Sequence, residues 1–218
     1  MGTEERKRRE KEKRRELIID AAEEVIRKKG FESMTMDDVA EETELSKGTL
    51  YLYFKNKSAI YLGLAERGSR LLNRRFAKVL TIDKPGLQLI RQMGEEYLDF
   101  VREQPIYFHA FIYYESIQDL EFLQSDPIAK RCEENARENH SYITRALQIG
   151  MQDGSIDDSY DAKQLAVMIW ASSRGLVQVA YLKNSGHHSA LLDDIELDIE
   201  SMFKSFIHLL GEGMAKKE

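Results

Sequence analysis

"SMTMDDVAEETELSKGTLYLYF", Ser33 to Phe54, contains two helix starts close together. Thr35 followed three residues later by Asp38 has the spacing of a capping box, which opens a short helix through about Glu42. Ser46 reads as a second N-cap, with Leu45 and Leu50 at the two positions of a hydrophobic staple. At roughly 100° per residue, Leu50 and Phe54 share one face and turn, with Val39 and Ala40, toward a core. The opposite face carries Gly48, Thr49 and Leu52, flanked by Lys47, Tyr51 and Tyr53. Two short helices joined by a tight turn, the second exposed at its N-terminal end, form a helix-turn-helix. The second helix of such a pair enters a major groove and offers its first residues to base edges. The hydroxyls of Ser46 and Thr49, the Lys47 amine and the two phenols suit phosphates and base edges, and Gly48 lets backbone approach backbone.

Outward from this stretch almost every segment has helical period. Leu17, Ala21 and Val25, joined by Ile18, Ala22 and Ile26, form a stripe that ends at "KKG", with Gly30 as the stop. A long helix is expected from near Ser58 toward Val79, and another after "DKPGLQ" to about Glu103. Pro105 opens the next, Asp126-Pro127 opens one reaching Gln152, and the last two span about Asp161–Lys183 and Asp193–Leu210, with Gly211 as C-cap. Strand-like alternation is lacking throughout. The fold class is all-α, with about nine helices.

Composition fits a soluble globular chain: 42% hydrophobic, 32% charged and few prolines and glycines. The single cysteine, Cys132, forms no internal disulfide, which fits a reducing compartment, the cytoplasm. The most apolar run, Leu165 to Leu182, carries Arg174 and Gln178 near its middle. A membrane span is therefore disfavoured, and a helix buried on most of its faces is expected. Net charge is −6, yet "RKRREKEKRR", Arg6 to Arg15, holds eight basic and two acidic residues. That segment is either a solvated helical charge run or an electrostatic guide toward phosphate. No glycine-rich phosphate loop, metal-ligand spacing or nucleophile setting is present, which argues against an enzyme. No cofactor and no metal site are expected, and His187-His188 stands in a loop without other ligand types.

"GFESMTMDDVAEETELSKGTLYLYFKNKSAI", Gly30 to Ile60, resembles the DNA-binding domain of the tetracycline-repressor (TetR) family. The match runs from Leu17 to Ile60 and is dense. One departure is Glu44 in the turn, where the family often has glycine; a left-handed conformation there costs roughly 1–2 kcal/mol. The resemblance implies DNA contacts by Thr35, Ser46, Lys47, Gly48, Thr49, Tyr51, Leu52, Tyr53 and Lys57. It implies a DNA-binding domain over residues 1–57, with the basic extension at its start, and a helical ligand-binding and dimerisation domain over 58–218. The function it implies is a transcriptional repressor of a palindromic double-stranded DNA operator, released by a small, mainly apolar effector. The competing reading is a nucleoid-like helix-turn-helix protein without an effector.

For the body, seven of the 20 aromatic residues fall between Tyr97 and Tyr114. Tyr97, Phe100, Phe111, Tyr114 and Trp170 are the candidate ligand contacts. "ENARENH", Glu134 to His140, is either a solvated face or a polar pocket wall. Ile195, Ile199, Met202, Phe206 and Leu209 form a stripe on the last helix, and "ASSRG" on the preceding one permits close approach. A homodimer through these two helices is the expected assembly.

Overall fold

The computed structural model describes residues 2–184 and 198–216. Among them the chain forms ten helices: α1 (Thr3–Lys29), α2 (Met36–Glu42), α3 (Lys47–Tyr53), α4 (Lys57–Val79), α5 (Gly86–Glu103), α6 (Pro105–Ser116), α7 (Leu120–Ser125), α8 (Pro127–Asp153), α9 (Ala162–Asn184) and α10 (Ile199–Met214). No strand occurs among the described residues beyond one isolated bridge between Ile156 and Ala215. The helices gather into two compact units. One comprises Met1–Arg70 and Gln104–Asn135, the other Leu71–Glu103 and Ala136–Glu218, so α4 and α8 each contribute to both.

The first unit is built on the α1 stripe. Ile18, Ala22, Val25 and Ile26 are buried with Val39 and Ala40 of α2, Leu50 and Phe54 of α3, and Ile60, Leu62 and Leu64 of α4. The capping box at α2 closes in both directions. Thr35 Oγ1 accepts the Asp38 N–H at 3.2 Å, and Asp38 Oδ2 accepts the Thr35 N–H at 3.0 Å. Ser46 Oγ accepts the Thr49 N–H at 3.1 Å and starts α3. Between the two helices Glu44 takes φ 55°, the left-handed conformation expected of the turn, while the Leu45 N–H reaches back to the Ala40 carbonyl at 3.0 Å.

Helix α6 belongs to the same unit and carries most of the aromatic run. Tyr107 and Phe108 are buried, and the Tyr107 hydroxyl donates to Glu23 Oε1 at 2.6 Å. α4 presents Gly68 where α6 passes: a Cβ there would stand 2.6 Å from that of Tyr107. The six-residue α7 has no counterpart in the sequence reading; Asp119 caps it by accepting the Phe122 N–H at 2.9 Å. One turn of helix has too short a period to stand out in a pattern of apolar residues. Asp126 caps α8 as its position before Pro127 suggests, accepting the Ile128 and Ala129 N–H groups.

In the second unit the "DGS" turn caps α5. The Gly86 N–H donates to Asp153 Oδ2 at 2.8 Å and the Leu87 N–H to Ser155 Oγ at 3.1 Å. Helices α5 and α8 meet backbone to backbone here, since any Cβ on Gly86 would overlap the Gly150 main chain. The polar stripe of α8 is shared between α4 and solvent: Asn135, Glu138 and Asn139 bond α4, while Glu134 and Arg137 are exposed. Asn73, 4% exposed, donates to Glu138 Oε2 at 3.0 Å and accepts from Asn139 Nδ2 at 3.0 Å.

Two expectations need correction. Helix α9 is not buried on most of its faces: Val167, Met168, Trp170, Val179 and Tyr181 are exposed, and only 22% of its most apolar stretch is buried. By length and composition it is the one described helix able to cross a membrane. The C-terminal helix runs past Gly211 to Met214, because Gly211 is buried against the Arg91 guanidinium instead of ending the helix. Asp193, Ile195, His187 and His188 lie outside the described residues.

The left-handed Glu44 gives a direct test of the turn. Glycine there removes a strain of roughly 1–2 kcal/mol but costs about 0.5–1 kcal/mol in unfolded-chain entropy. Glu44→Gly should therefore stabilise the first unit by about 0.5–1 kcal/mol, read as a higher urea midpoint with unchanged slope.

Candidate nucleic-acid interface

The surface of α3 divides as its sequence suggests. Leu50 and Phe54 are fully buried, while Lys47, Gly48, Tyr51 and Leu52 are exposed and Thr49 and Tyr53 half-buried. Leu52 is 78% exposed, an apolar side chain with no core to join. The space where a Gly48 Cβ would stand is open, its nearest neighbour being Ser46 Oγ at 4.0 Å. Ser46 and Thr49 also join hydroxyl to hydroxyl at 2.8 Å, so the first turn of α3 is fixed by its own side chains. Together these residues form one exposed face, with apolar, phenolic and cationic groups side by side.

The charges around this face are largely paired within the unit. Lys47 Nζ lies 2.8 Å from Asp37 Oδ2 on α2, and Asp37 keeps the amine's pKa above its ordinary value through that hydrogen bond. Lys29 bonds Asp38 at 2.5 Å; this contact, with the Thr35 hydroxyl, lowers the Asp38 carboxyl to about 2. Lys28 pairs with Glu42 at 2.9 Å. The hollow of about 400 Å³ between α1 and α2 is lined by Val25 and by the charged Lys28, Lys29, Asp38, Glu41, Glu42 and Glu44.

Lys57 has a structural task that its position does not reveal. Its Nζ donates to the Glu32 carbonyl at 2.6 Å and lies 5.4 Å from the centre of the Tyr61 ring. The Tyr61 hydroxyl in turn donates to the Phe31 carbonyl, and the two rings stack at 4.0 Å. Thr35 is exposed, with its hydroxyl donating to Asp38 Oδ2 at 2.7 Å. Thr35 and Ser46 thus serve as caps in the free protein. The residue that sequence reasoning missed is Asp37, the partner of Lys47, because ten residues across a turn leave no periodic signal.

The candidate ligand contacts fall in both units. Tyr97, Phe100 and Trp170 belong to the second unit, Phe111 and Tyr114 to the first. Phe100 is fully buried under the Arg75 guanidinium, 5.6 Å from its centre, and Tyr97 packs 5.9 Å from Phe203. Burial pushes the Tyr114 phenol up to about 12. Trp170 is 47% exposed, with the Arg174 guanidinium 5.9 Å from its ring centre. No group of His, Cys, Asp and Glu with metal-binding geometry occurs among the described residues.

Comparison with known proteins fits this division between a well-defined face and a less defined body. A family model for bacterial regulatory proteins of the tetR family matches residues 18–64. Over 58 residues the chain is 43% identical to the HTH-type transcriptional regulator YfiR of Bacillus subtilis, which covers 27% of this chain and 28% of that protein. The chain likewise spans only 54% of an HTH-type regulator from Haemophilus influenzae, at 29% identity. The fatty acid metabolism regulator protein of Bacillus subtilis is 24% identical over 92% of this chain and 95% of its own length. Among solved structures, the transcriptional regulator FadR from Bacillus subtilis, in complex with stearoyl-CoA, superposes with a TM-score of 0.70. That likeness extends over 91% of this chain and 98% of the other at 20% sequence identity, and it carries the fold. Each of these proteins is named as a regulator. The capped two-helix motif lies wholly inside the stretch, residues 18–64, that matches the tetR family of bacterial regulatory proteins.

Proposed function

We propose that the chain is a repressor that binds a palindromic operator as a homodimer and is released by a mainly apolar effector of the long-chain acyl thioester class. The observation that carries the DNA-binding part is the outward face of α3. Leu52 and Tyr51 stand exposed beside Lys47 and Gly48, on a helix whose start is fixed by Ser46. An apolar residue at such a position suits a thymine methyl, and the phenols suit phosphates. In this reading the division of labour falls at residues 1–57 for DNA and 58–218 for ligand and dimer.

Exposure on α9 supports the dimer. Trp170, Val167, Met168 and Val179 lie along one broad arc, and a patch of this kind on a folded chain marks an interface. Leu209 of α10, 70% exposed, adds to it. Trp170 then serves the dimer face, which leaves Tyr97, Phe100, Phe111 and Tyr114 as the candidate effector contacts. A two-fold pair of α3 helices about 34–36 Å apart would meet successive major grooves. The acyl effector is carried over from the stearoyl-CoA bound by the Bacillus subtilis FadR structure. Its chemistry suits the aromatic run.

Duplexes selected by the wild-type protein from a random library should share a palindrome. On that duplex Tyr53→Ala should weaken binding about tenfold. Gly48→Trp should abolish binding while leaving the melting temperature unchanged, because the protein itself leaves that space open. Wild-type affinity in gel shifts of both variants would remove α3 as the reading helix. Stearoyl-CoA should lower operator affinity by about 5–150-fold, and operator should lower stearoyl-CoA affinity by the same factor. Equal ligand affinity with and without operator would exclude that effector.

Met168→Glu places a charge on the exposed arc of α9. The variant should fold with native helicity and sediment as a monomer, and it should lose operator affinity by far more than a single contact is worth. A dimeric variant with intact binding would move the interface elsewhere.

A further inference from the structure

We propose that the N-terminal half of α1 is a second DNA-binding surface, a basic flank that grips phosphates beside the groove read by α3. The inference rests on the DNA-binding reading above and extends it to residues outside the matched 18–64 stretch. Every side chain from Arg6 to Arg14 is exposed, so these turns stand clear of the core that begins at Ile18. Ion pairs engage only Arg9, with Glu5 at 2.8 Å, and Arg6, with Glu10 at 4.0 Å. Lys7, Arg8, Lys11, Lys13 and Arg14 have no acidic partner among the described residues. A helical stretch of this length is marginal in water, below the roughly 12–15 residues an isolated helix needs. Crowded unpaired cations weaken it further. A polyanion supplies what the fold does not.

The direction of the charges selects the polyanion. Lys7, Lys11 and Arg14 recur at the spacing of one helix face, and the row continues into the buried Ile18, Ala22 and Val25. The cations therefore project from the side of α1 that carries the helix-turn-helix. Arg15, adjoining that row, lies with its guanidinium 4.9 Å from the centre of the Phe54 ring, and Phe54 closes α3. From Arg15 back to Lys7 the helix extends about 12 Å, so the row starts at the end of the recognition helix and leads away from it. A duplex held by α3 would meet this row along its backbone. An anionic membrane fits less well. No residue between Glu4 and Glu16 is apolar, so the segment has no face to insert into an interface.

The test compares the full-length wild type with Lys7→Gln/Lys11→Gln/Arg14→Gln and with Lys13→Gln, which lies off that row. Each is titrated on the duplex selected by the wild type. One form is cut to the palindrome, and the other is extended by one helical turn, about 10 base pairs, on each side. Glutamine preserves helix propensity and the substituted side chains touch no core, so folding is not at stake. On the long duplex the triple variant should show a slope of log K against log salt shallower by about 2.7 per protomer, at about 0.9 for each of three lost phosphate contacts. The short duplex should show little change, and Lys13→Gln should behave as wild type on both. An unaltered slope for the triple variant would overturn the inference while leaving the operator reading intact. Equal loss on the short and long duplexes, or equal loss in Lys13→Gln, would also overturn it. So would loss of binding to phosphatidylserine–phosphatidylcholine vesicles with no change on DNA. Failure of the wild type to select any duplex would instead sink the operator reading itself.

Discussion

The guanidinium of Arg67 holds the first unit together across three helices. From α4 it reaches Glu16 at 2.5 Å, Asp20 at 2.6 Å and Glu23 at 2.8 Å, all on α1, and it also donates to the Glu16 carbonyl at 2.8 Å. Glu23 then accepts the Tyr107 hydroxyl, which ties in α6. Burial opposes the Arg67 charge, but its hydrogen bonds to Asp20, Glu16 and Glu23 and the nearby Glu16 charge outweigh it and keep the pKa above its ordinary value. A half-buried cation facing three carboxylates is a weak source of net stability, because desolvation offsets most of the attraction. Its effect is on geometry. The planar fork satisfies several acceptors only at one crossing of α1 over α4. That crossing sets where α2 and α3 sit, because α2 packs on α1 and α3 on α2.

The parts of this arrangement legible in the sequence are those encoded within a few residues. Thr35 and Asp38 are three apart, Ser46 and Thr49 three apart, and Leu50 and Phe54 four apart; each pair meets as its spacing dictates. The left-handed Glu44 was legible only through the resemblance, since the family often has glycine at that place in the turn. Arg67 was not. Its partners lie 44 to 51 residues away, and no periodicity links an arginine in one helix to an acidic cluster in another. The exposure of α9 escaped for a different reason. An apolar helix announces that its faces seek burial, but whether the cover comes from the same molecule or another is not written in its period.

The aromatic residues of α6 illustrate the same limit. Seven aromatics close together suggest a lined cavity, yet two of the phenols in α6 are committed to polar partners. Tyr107 bonds Glu23, and Tyr113 bonds Ser58 Oγ at 2.6 Å while its ring meets Tyr61 edge-on at 4.9 Å. His109, half-buried against the Phe31 ring, has its pKa lowered by that burial, which favours the neutral imidazole. Helix α6 therefore braces the first unit through its tyrosines. The polar stripe on α8 plays a similar part. Asn135 donates to the Glu66 carbonyl and to Ser69 Oγ, both on α4, while the buried Glu66 carboxylate is raised by desolvation and opposed by Arg70 and Arg131.

These bonds define a route by which an effector would act on DNA binding, on the regulatory reading proposed above. Helix α6 touches α1 through Tyr107 and the start of α4 through Tyr113, so it contacts both sides of the α1–α4 crossing. The gap at Gly68 leaves α4 no slack against Tyr107, and a displacement of α6 must be taken up by moving α4 or by breaking the Tyr107–Glu23 bond. Breaking it removes one donor from the Glu23 carboxylate but leaves Arg67 in place, a loss of about 1.5–3 kcal/mol for one hydrogen bond to a charged group. Moving α4 would strain every Arg67 contact at once. The cheaper response is thus local, at Tyr107, unless the effector also shifts α4 directly. A ligand acting on α6 alone would therefore be a weak effector, and strong release from DNA requires one that engages α4 as well.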